Sequence, residues 1–323
     1  MPSQQNLTCL QHVLKFKTLV ENTTSSDEST GKTAASSRGT DPSPKECFCN
    51  LCRTVATVEF LYTVAAENIV QCRSCGLVFV SQRPATPGEA AGIYSQDYFE
   101  GGRPDGYTDY NASEETLRHQ ARRVLRRLRR YQPSGRLLEL GCAYGFFLLE
   151  ARQHFEVQGV EISPFAAEQA RKRGLQVVAG EFQNIPFAAA GFSAVCLFDC
   201  IEHLVDPFEY LRKIHSVLER NGVVALTTGD IGSQYARWSG RKWRLMTPPQ
   251  HLFFFSAKTL KEMLVRTGFE VLGISYPWKL VPWSLMLYQI SPRLKTALGP
   301  LGRLPLAMYV NLFDAMFLIA RKR

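Results

Sequence analysis

The sequence contains no apolar run of the ~18 residues that a membrane-spanning helix requires. A secretory signal is not expected either, because Lys15 and Lys17 interrupt the apolar stretch within the first twenty residues. Large apolar residues are nearly absent from residues 21–45, which are rich in Ser, Thr, Asp, Glu, Gly and Pro. Such a composition cannot bury enough surface to fold, so we predict a disordered extension over residues 1–45, whose first twenty residues form either a short helix or a dispensable tail.

The cysteine usage is unlike that of a disulfide-bonded secreted protein. Four of the nine cysteines form two Cys-x-x-Cys pairs, which fit metal binding in a reducing compartment, so we expect a cytoplasmic protein. The pairs, Cys49/Cys52 and Cys72/Cys75, stand nineteen residues apart in β-rich sequence. Because a hairpin would bring the four thiolates into one closed tetrahedral site, we predict a zinc ribbon over residues 46–82 with a structural Zn²⁺.

The sequence from Leu137 to Phe146 predicts a buried strand that breaks into a glycine turn. A second apolar run follows and ends in Glu161, so that strand, turn, helix and strand form a nucleotide-binding βαβ unit. Glycine lets the backbone approach a ligand closely, and a carboxylate at the tip of the second strand can accept hydrogen bonds from both ribose hydroxyls.

This turn lacks two common nucleotide signatures. Counting from Gly141, the dinucleotide pattern requires glycine at the third and sixth positions, where the chain has Ala143 and Phe146. A P-loop is excluded because no Gly-Lys-Ser/Thr follows. The acidic Glu139, two places before the first glycine, instead resembles the Asp/Glu-x-Gly-x-Gly-x-Gly motif of class I S-adenosylmethionine (SAM) methyltransferases, from which only the middle position, Ala143, departs.

The chain has 323 residues, of which 45% are hydrophobic and 21% charged, enough for one α/β domain with additions. Alternating strands and helices predict an α/β fold with a seven-stranded, doubly wound, mainly parallel Rossmann-like sheet in residues 83–323. We predict an apolar insertion at residues 276–313 that forms either extra core or a lid that touches substrate or lipid. The predicted strands are 136–140, 156–160, 175–178, 193–198, 222–228, Phe269–Ser275 and Asp314–Arg321, and the predicted helices are about 145–154, 164–173, 206–219 and 256–267.

Most of the net charge of +9 comes from one segment, Arg118–Arg130, which carries seven arginines. Apolar residues recur along it with the spacing of one helix face. The basic face is either solvated or a docking surface for phosphate, anionic lipid or nucleic acid. Nucleic acid is the less favoured partner, because the zinc ribbon itself has few basic residues.

Candidate catalytic residues follow the predicted fourth strand. Ligands bind beyond the carboxyl ends of strands in such sheets, so Asp199 and His203 are placed where a methyl acceptor lies. His203 can act as a general base, or can simply pack at a helix start. Glu202 and His203 can also bind a metal, although the sequence shows no third ligand. His251 and Arg244, from a loop before the helix that Ser256 caps, are alternative substrate contacts.

Several motifs occur together in one order: the paired cysteines, Cys-Gly-Leu-Val-Phe-Val, Tyr98-Phe99, Leu-Glu-Leu-Gly-Cys, Glu202-His203-Leu204, Pro249-Gln250-His251-Leu252 and Thr267-Gly268-Phe269-Glu270. This order resembles bacterial class I SAM methyltransferases with an N-terminal zinc ribbon, and the core is similar to the ubiquinone-pathway O-methylases. The resemblance covers residues 46–323. It implies SAM contacts from the two strand tips, from the segment after the third strand and from an aromatic segment that covers SAM (candidates Tyr94, Tyr98, Tyr107 and Tyr110). The implied contact residues are Glu139, Gly141, Ala143, Gly145, Glu161, Ile162, Glu181, Phe182, Phe198 and Tyr107.

We therefore expect a SAM-dependent methyltransferase that acts on the oxygen of a small molecule or a carrier-linked sugar. Two alternatives stay open. One is an RNA methyltransferase whose RNA surface is the ribbon and the basic helix. The other is a SAM-binding scaffold without catalysis, against which the intact acidic strand tips and the Asp199/His203 pair argue.

Overall fold

The computed structural model describes residues 45–84, 86, 94–100, 110–282 and 307–323. The described residues divide into two compact units, a larger one within residues 45–95, 115–279 and 311–323 and a smaller one made of residues 96–100, 110–114, 280–282 and 307–310. The predicted disordered extension, Tyr107 and most of the insertion at 276–313 lie outside the described residues.

The strands of the described residues are β1 (Glu46–Cys49), β2 (Thr54–Val64), β3 (Glu67–Cys72), β4 (Val78–Val80), β5 (Gly135–Leu140), β6 (Phe155–Glu161), β7 (Val177–Ala179), β8 (Phe192–Phe198), β9 (Leu218–Gly229), β10 (Phe253–Phe254), β11 (Phe269–Ser275), β12 (Lys279–Pro282), β13 (Ala307–Val310) and β14 (Ala315–Lys322). The α-helices are α1 (Gln96–Glu100), α2 (Glu114–Leu128), α3 (Phe146–Ala151), α4 (Pro164–Lys172), α5 (Pro207–Val217), α6 (Gln234–Ser239) and α7 (Ala257–Arg266).

Seven strands form the main sheet in the order β11-β14-β9-β8-β5-β6-β7. The strands from β9 to β7 pair in parallel, whereas β14 is antiparallel to both β9 and β11. This arrangement confirms the predicted seven-stranded, doubly wound, mainly parallel sheet, in which β14 is the antiparallel exception. Parts of the parallel strands, such as Leu137–Leu138 of β5 and Val223–Leu226 of β9, are fully buried apolar runs, as is typical where helices cover both faces of the sheet.

The predicted boundaries agree with the observed ones to within a few residues, and the sixth strand, β11, matches at both ends. The largest difference is at β9, which begins at Leu218 rather than at residue 222. Leu218 already pairs with Phe192 of β8, so the preceding helix α5 ends at Val217. The dipeptide Asn221-Gly222, a pattern typical of a turn, lies inside the strand, where Asn221 adopts a positive φ of 65°.

The zinc-ribbon segment forms an antiparallel sheet in the order β1-β2-β3-β4-β10. Its last strand, β10, comes from far along the chain, and Phe253 pairs with Phe79 of β4. The sequence did not predict this strand. One hydrophobic core contains both the ribbon residues Leu51 and Phe79 and the sheet residues Leu138 and Leu197. The ribbon and the main sheet therefore pack as parts of one unit, and the boundary near residue 82 stays a prediction.

In the smaller unit, the Tyr110 backbone N–H donates to the Phe99 carbonyl of α1 at 2.9 Å, and the two rings meet edge-on with centroids 5.6 Å apart. Strands β12 and β13 form a separate two-stranded sheet. Among the described residues, no helix is long and apolar enough to cross a membrane.

Candidate active site

The turn after β5 adopts a left-handed backbone at three alternating positions. Gly141 has φ 70°, Ala143 has φ 47° and Gly145 has φ 79°. Glycine adopts this conformation at little cost, whereas alanine does so only under constraint. The constraint is a hydrogen bond of 2.8 Å from the Ala143 N–H to Glu161 Oε2, which ties the turn to the tip of β6.

Glu161 is held in a fixed position at this tip. Its Oε1 accepts a hydrogen bond of 2.9 Å from the Ser163 N–H. Burial raises the pKa of the Glu161 carboxyl, and the backbone N–H groups of Ser163, Ala143 and Ile162 oppose that rise. Each carboxylate oxygen has two acceptor sites, so Glu161 keeps acceptor capacity for a ligand hydroxyl group after these bonds are made.

Glu139 has unused hydrogen-bonding capacity. It is 5% exposed, and its Oε2 atom has no hydrogen-bond partner among the described residues. Burial, and then the nearby Glu161, raise the pKa of Glu139 well above its ordinary value. A buried carboxyl oxygen of this kind fits a ligand that brings its own donor, and the ammonium group of SAM is such a donor.

The segment after β7 is anchored by α5. Glu181 begins a short 3₁₀ turn, and its carboxylate accepts hydrogen bonds from the Gln183 N–H and the Tyr210 hydroxyl. Lys213 Nζ donates to three carbonyls of the same segment, those of Phe182, Gln183 and Ile185, at 2.5, 2.9 and 2.7 Å. This segment, which the resemblance implies contacts SAM, is therefore fixed by two side chains that sequence reasoning did not single out, Tyr210 and Lys213.

The end of β8 is the second strained point of the site. Asp199 has φ 49°, and it exchanges hydrogen bonds with Thr227 at the end of β9. The Thr227 hydroxyl donates to Asp199 Oδ1 at 2.9 Å, and the Asp199 N–H donates to the Thr227 carbonyl at 3.0 Å. A non-glycine residue keeps a left-handed backbone only where surrounding contacts hold it, and such residues are concentrated at functional sites. The adjacent Phe198 packs edge-on against Phe147 of α3, with centroids 4.7 Å apart.

Two histidines from distant parts of the chain lie side by side here. The rings of His203 and His251 meet edge-on with centroids 4.6 Å apart. His203 Nδ1 lies 2.9 Å from the Gln250 carbonyl oxygen, and His251 Nδ1 lies 2.8 Å from the Leu245 carbonyl oxygen. A carbonyl oxygen can only accept, so we assign the proton of each neutral ring to Nδ1. Each Nε2 then carries a lone pair.

The environment disfavours protonation of both rings. Burial lowers the pKa of His203, which the Gln250 carbonyl and Asp199 partly oppose. Burial and the neighbouring His203 lower the pKa of His251 to about 3. His251 is therefore neutral at physiological pH and a poor proton acceptor. His203 is the better base of the two.

The structure supplies a third potential metal ligand for the pair Glu202 and His203. A carboxylate oxygen of Glu202 and one ring nitrogen each of His203 and His251 all lie within 4.8 Å of one another. Glu202 is 4% exposed, and its backbone carbonyl accepts a hydrogen bond of 2.9 Å from the Leu252 N–H. This three-residue group can hold a metal ion or a proton network.

Two other predicted contacts have defined positions. The Arg244 guanidinium forms two hydrogen bonds of 2.9 Å with Asp314, which is 3% exposed, so this arginine is already committed to an ion pair. Tyr94 lies edge-on to His203 with centroids 6.2 Å apart. A tyrosine proposed to cover SAM thus adjoins the candidate base.

The four paired cysteines converge in the ribbon. Their sulfur atoms all lie within 4.8 Å of one another, with Cys49 Sγ 3.5 Å from Cys75 Sγ and Cys52 Sγ 3.8 Å from Cys72 Sγ. A tetrahedral Zn²⁺ with Zn–S bonds of ~2.3 Å separates its sulfurs by ~3.8 Å. The cluster therefore fits one zinc ion, with Cys47 outside the set.

The order of the main sheet, with antiparallel β14 beside β9, and the glycine turn that ends β5 are those of class I SAM-dependent methyltransferases. A family model described as a methyltransferase domain matches residues 113–274, half of the chain. The chain belongs to this family, and it is a SAM-dependent methyltransferase.

Curated relatives match the same region. A ubiquinone biosynthesis O-methyltransferase of Ruegeria pomeroyi is 27% identical over 181 residues, which cover 50% of this chain and 73% of the relative. An uncharacterized protein of Methanocaldococcus jannaschii is 29% identical over 144 residues, 44% of this chain and 68% of that protein. Among solved structures, a SAM-dependent methyltransferase of Thermotoga maritima, described as a possible histamine N-methyltransferase, is 21% identical with a TM-score of 0.47, covering 66% of this chain and 94% of its own.

Proposed function

We propose that the protein transfers the methyl group of SAM to an oxygen atom of a small molecule or a carrier-linked sugar, with His203 as the general base. One observation carries the proposal. His203 and His251 are both held through Nδ1 by backbone carbonyls, which leaves two Nε2 lone pairs beside the end of β8. The similarity to ubiquinone biosynthesis O-methyltransferases supports oxygen as the attacking atom.

Each group of the site has a role in this reaction. SAM, when bound, supplies an electrophilic methyl group. The nucleoside of SAM is held by the turn at Gly141–Gly145 and by the carboxylate of Glu161. Glu139 accepts a hydrogen bond from the ammonium group of SAM. Asp199 positions the acceptor or the methionine end of SAM. Much of the rate enhancement comes from alignment of the two reactants.

The proton of the acceptor hydroxyl goes to His203 Nε2 as the oxygen attacks. His203 is preferred over His251 because a group with a pKa of about 3 holds a proton too weakly to remove one from a hydroxyl group. His251 instead contributes a hydrogen-bond acceptor and orients its neighbour. The imidazolium formed on His203 lies near Asp199, whose charge favours protonation.

The ribbon holds one structural Zn²⁺ through Cys49, Cys52, Cys72 and Cys75 in this proposal. Four thiolate ligands fill a tetrahedral site and leave no position for substrate. The ribbon also supports the acceptor side of the site. The Val80 N–H at the end of β4 donates to the Leu252 carbonyl at 3.0 Å, directly after His251.

The test is methyl transfer from labelled SAM to separate panels of phenolic hydroxyls, sugar nucleotides and RNA. Label recovered as a methyl ether on a phenol or a sugar supports the proposal. Label only on RNA would identify the RNA methyltransferase instead, and label on nitrogen would overturn the assignment of oxygen. SAM binding without transfer to any panel or to a metabolite extract would favour the non-catalytic scaffold. Comparison with and without a chelator shows whether a metal on Glu202, His203 and His251 takes part.

A further inference from the structure

The basic helix α2 has two kinds of arginine. Near its first half, Arg118 Nε lies 2.6 Å and Arg122 Nη1 3.3 Å from the same oxygen of Glu150, a carboxylate that is 5% exposed. Arg122 also pairs with Glu115 at 3.1 Å, but that glutamate is 79% exposed and contributes little. A single buried carboxylate thus compensates two arginines of this half.

The second half of α2 and the turn that follows it are not compensated in this way. Arg126 and Arg129 have no acidic partner within 4.0 Å among the described residues. Burial, and then the charges of its arginine neighbours, lower the pKa of Arg127. The partial negative charge at the helix C-terminus offsets only part of this repulsion, an effect typically worth ~0.3–1 kcal/mol. An anion bound beside Arg126, one of these neighbours, would reduce the remaining repulsion among the arginines.

A groove runs beside these arginines. It has a volume of about 290 Å³, and Arg122, Arg126 and Arg129 line it together with Gln153 and His154, which follow α3. At ~1.5 Å of rise per residue, the three arginines are spaced by ~6 and ~4.5 Å along the helix axis. Glu150 is the one carboxylate that lines the groove, and it is already engaged by Arg118 and Arg122.

We propose that this groove binds a phosphate or diphosphate group. Guanidinium groups recognise phosphate through paired, charge-assisted hydrogen bonds. Within the part of the chain that the structure describes, no hydrogen bond engages the side chain of Arg126 or Arg129. Apart from the buried Leu125, the residues that line the groove are charged or polar, and none of them is an exposed large apolar side chain. The groove therefore suits a discrete anionic group better than the interior of a bilayer. The group can belong to a soluble diphosphate or to a lipid headgroup. The inference does not depend on the methyl acceptor or on the role of His203.

The test compares two double variants of the same helix. Arg126→Gln/Arg129→Gln removes two groove arginines that have no acidic partner and leaves the Glu150 ion pairs intact. Arg127→Gln/Arg130→Gln removes the same charge from residues that do not line the groove. Calorimetry with inorganic pyrophosphate, and co-sedimentation with phosphatidylcholine vesicles with and without phosphatidylglycerol, measure binding to each protein. Thermal denaturation checks that both variants fold.

We expect pyrophosphate to bind the unmodified protein, and the groove variant to bind it about tenfold or more weakly, while the control variant changes less than about threefold. Binding to phosphatidylglycerol vesicles that pyrophosphate displaces, with the same variant dependence, would assign the group to a lipid headgroup. Equal losses in both variants would show a diffuse basic surface and overturn the groove. Absence of binding to both pyrophosphate and the phosphatidylglycerol vesicles would overturn it as well.

Discussion

The candidate active site has two sides, one proposed to hold the cofactor and one proposed to hold the acceptor, and they are built from contacts of different range. On the cofactor side, the Glu161 carboxylate accepts hydrogen bonds from two backbone N–H groups, one 18 residues away and one two residues away. The Glu181 carboxylate accepts a hydrogen bond from a backbone N–H two residues away. On the acceptor side, His203 is oriented by a carbonyl 47 residues away, and Asp199 by a threonine 28 residues away. The turn at Glu161 is thus closed largely by nearby backbone, whereas both histidine-side contacts join segments that only the folded sheet brings together. The Glu181 segment is intermediate, because Tyr210 and Lys213 of α5 also hold it from 28 to 31 residues away.

The difference extends to the zinc ribbon. Arg53 of the ribbon forms ion pairs with Asp206 at 2.8 Å and Glu209 at 3.2 Å, at the start of α5. The Phe208 N–H donates to the Asn50 side chain, and β10 extends the ribbon sheet directly after His251. Through β10 the ribbon adjoins the histidine side, and through the start of α5 it contacts the helix that anchors the Glu181 segment. Perturbing the ribbon should therefore affect both sides, and the histidines through the pairing of β10.

The largest effect is expected from Cys72→Ser. Structural zinc contributes on the order of 10–16 kcal/mol to small zinc domains, so the variant should lose the metal and at least ~3 kcal/mol of stability. Metal analysis and thermal denaturation measure both, with Cys47→Ser as the matched control, because Cys47 lies outside the cluster. The imidazole NMR signals of His203 and His251 should shift in the same variant. Full zinc content and an unchanged melting temperature would contradict the assignment.

Next in size is the effect of His203→Ala on turnover. Loss of a general base typically costs ~10²–10⁴ in rate. SAM affinity should stay nearly constant, because the proposed adenosine contacts lie on other strands. Methyl transfer to the identified acceptor is compared with that of His251→Ala, for which we expect a smaller loss. If only His251→Ala lost activity, His251 would be the base and His203 a packing residue.

Glu161→Ala should act on the opposite side. Two charge-assisted hydrogen bonds to ribose, each worth ~1.5–3 kcal/mol, would be lost, so SAM affinity should fall at least tenfold by calorimetry. The turn at Ala143 also loses an acceptor, and thermal denaturation without SAM separates that structural cost from the loss of ligand contact. NAD serves as the negative control ligand. A change in SAM affinity below about tenfold would exclude Glu161 as the ribose contact.

Acid should weaken the acceptor side. Burial lowers the pKa of His251 from its ordinary 6.5 to about 3, so the unfolded chain binds more protons than the folded chain between these values. The stability present above pH 6.5 should therefore decline as the pH falls towards 3. Denaturant unfolding at a series of pH values measures this slope, which His251→Asn should reduce. An identical slope in the variant would place the titration elsewhere.

The smallest effect is expected from Ala143→Gly. Alanine at φ 47° costs roughly 1–2 kcal/mol relative to its preferred conformations, and glycine does not bear this cost. The gain is partly offset by the greater freedom of glycine in the unfolded chain. Thermal denaturation should therefore show a slight gain in stability, with SAM affinity retained. A loss of several kcal/mol would indicate that the alanine methyl group has a packing role.

Sequence reasoning predicted the main sheet because its signals are local and repeated. Leu137 and Leu138 belong to an apolar run that cannot stay exposed, and the adjacent glycines predict the turn. The same reasoning missed β10, which has two residues, and α6, which has six, because neither is long enough to show a period. It named His203 and His251 separately, as rival bases, and did not place their rings in contact.

By itself, the sequence determined the strand–helix order, the glycine turn with its acidic strand tips, and the two cysteine pairs, since each depends on neighbours along the chain. Only the tertiary structure decided that the two histidines share one site, that His251 completes a group with Glu202, and that β10 joins the ribbon to the acceptor side. These contacts join segments that the chain brings together from far apart. Such contacts depend on which strands pair and in which register, and no local sequence pattern specifies that pairing.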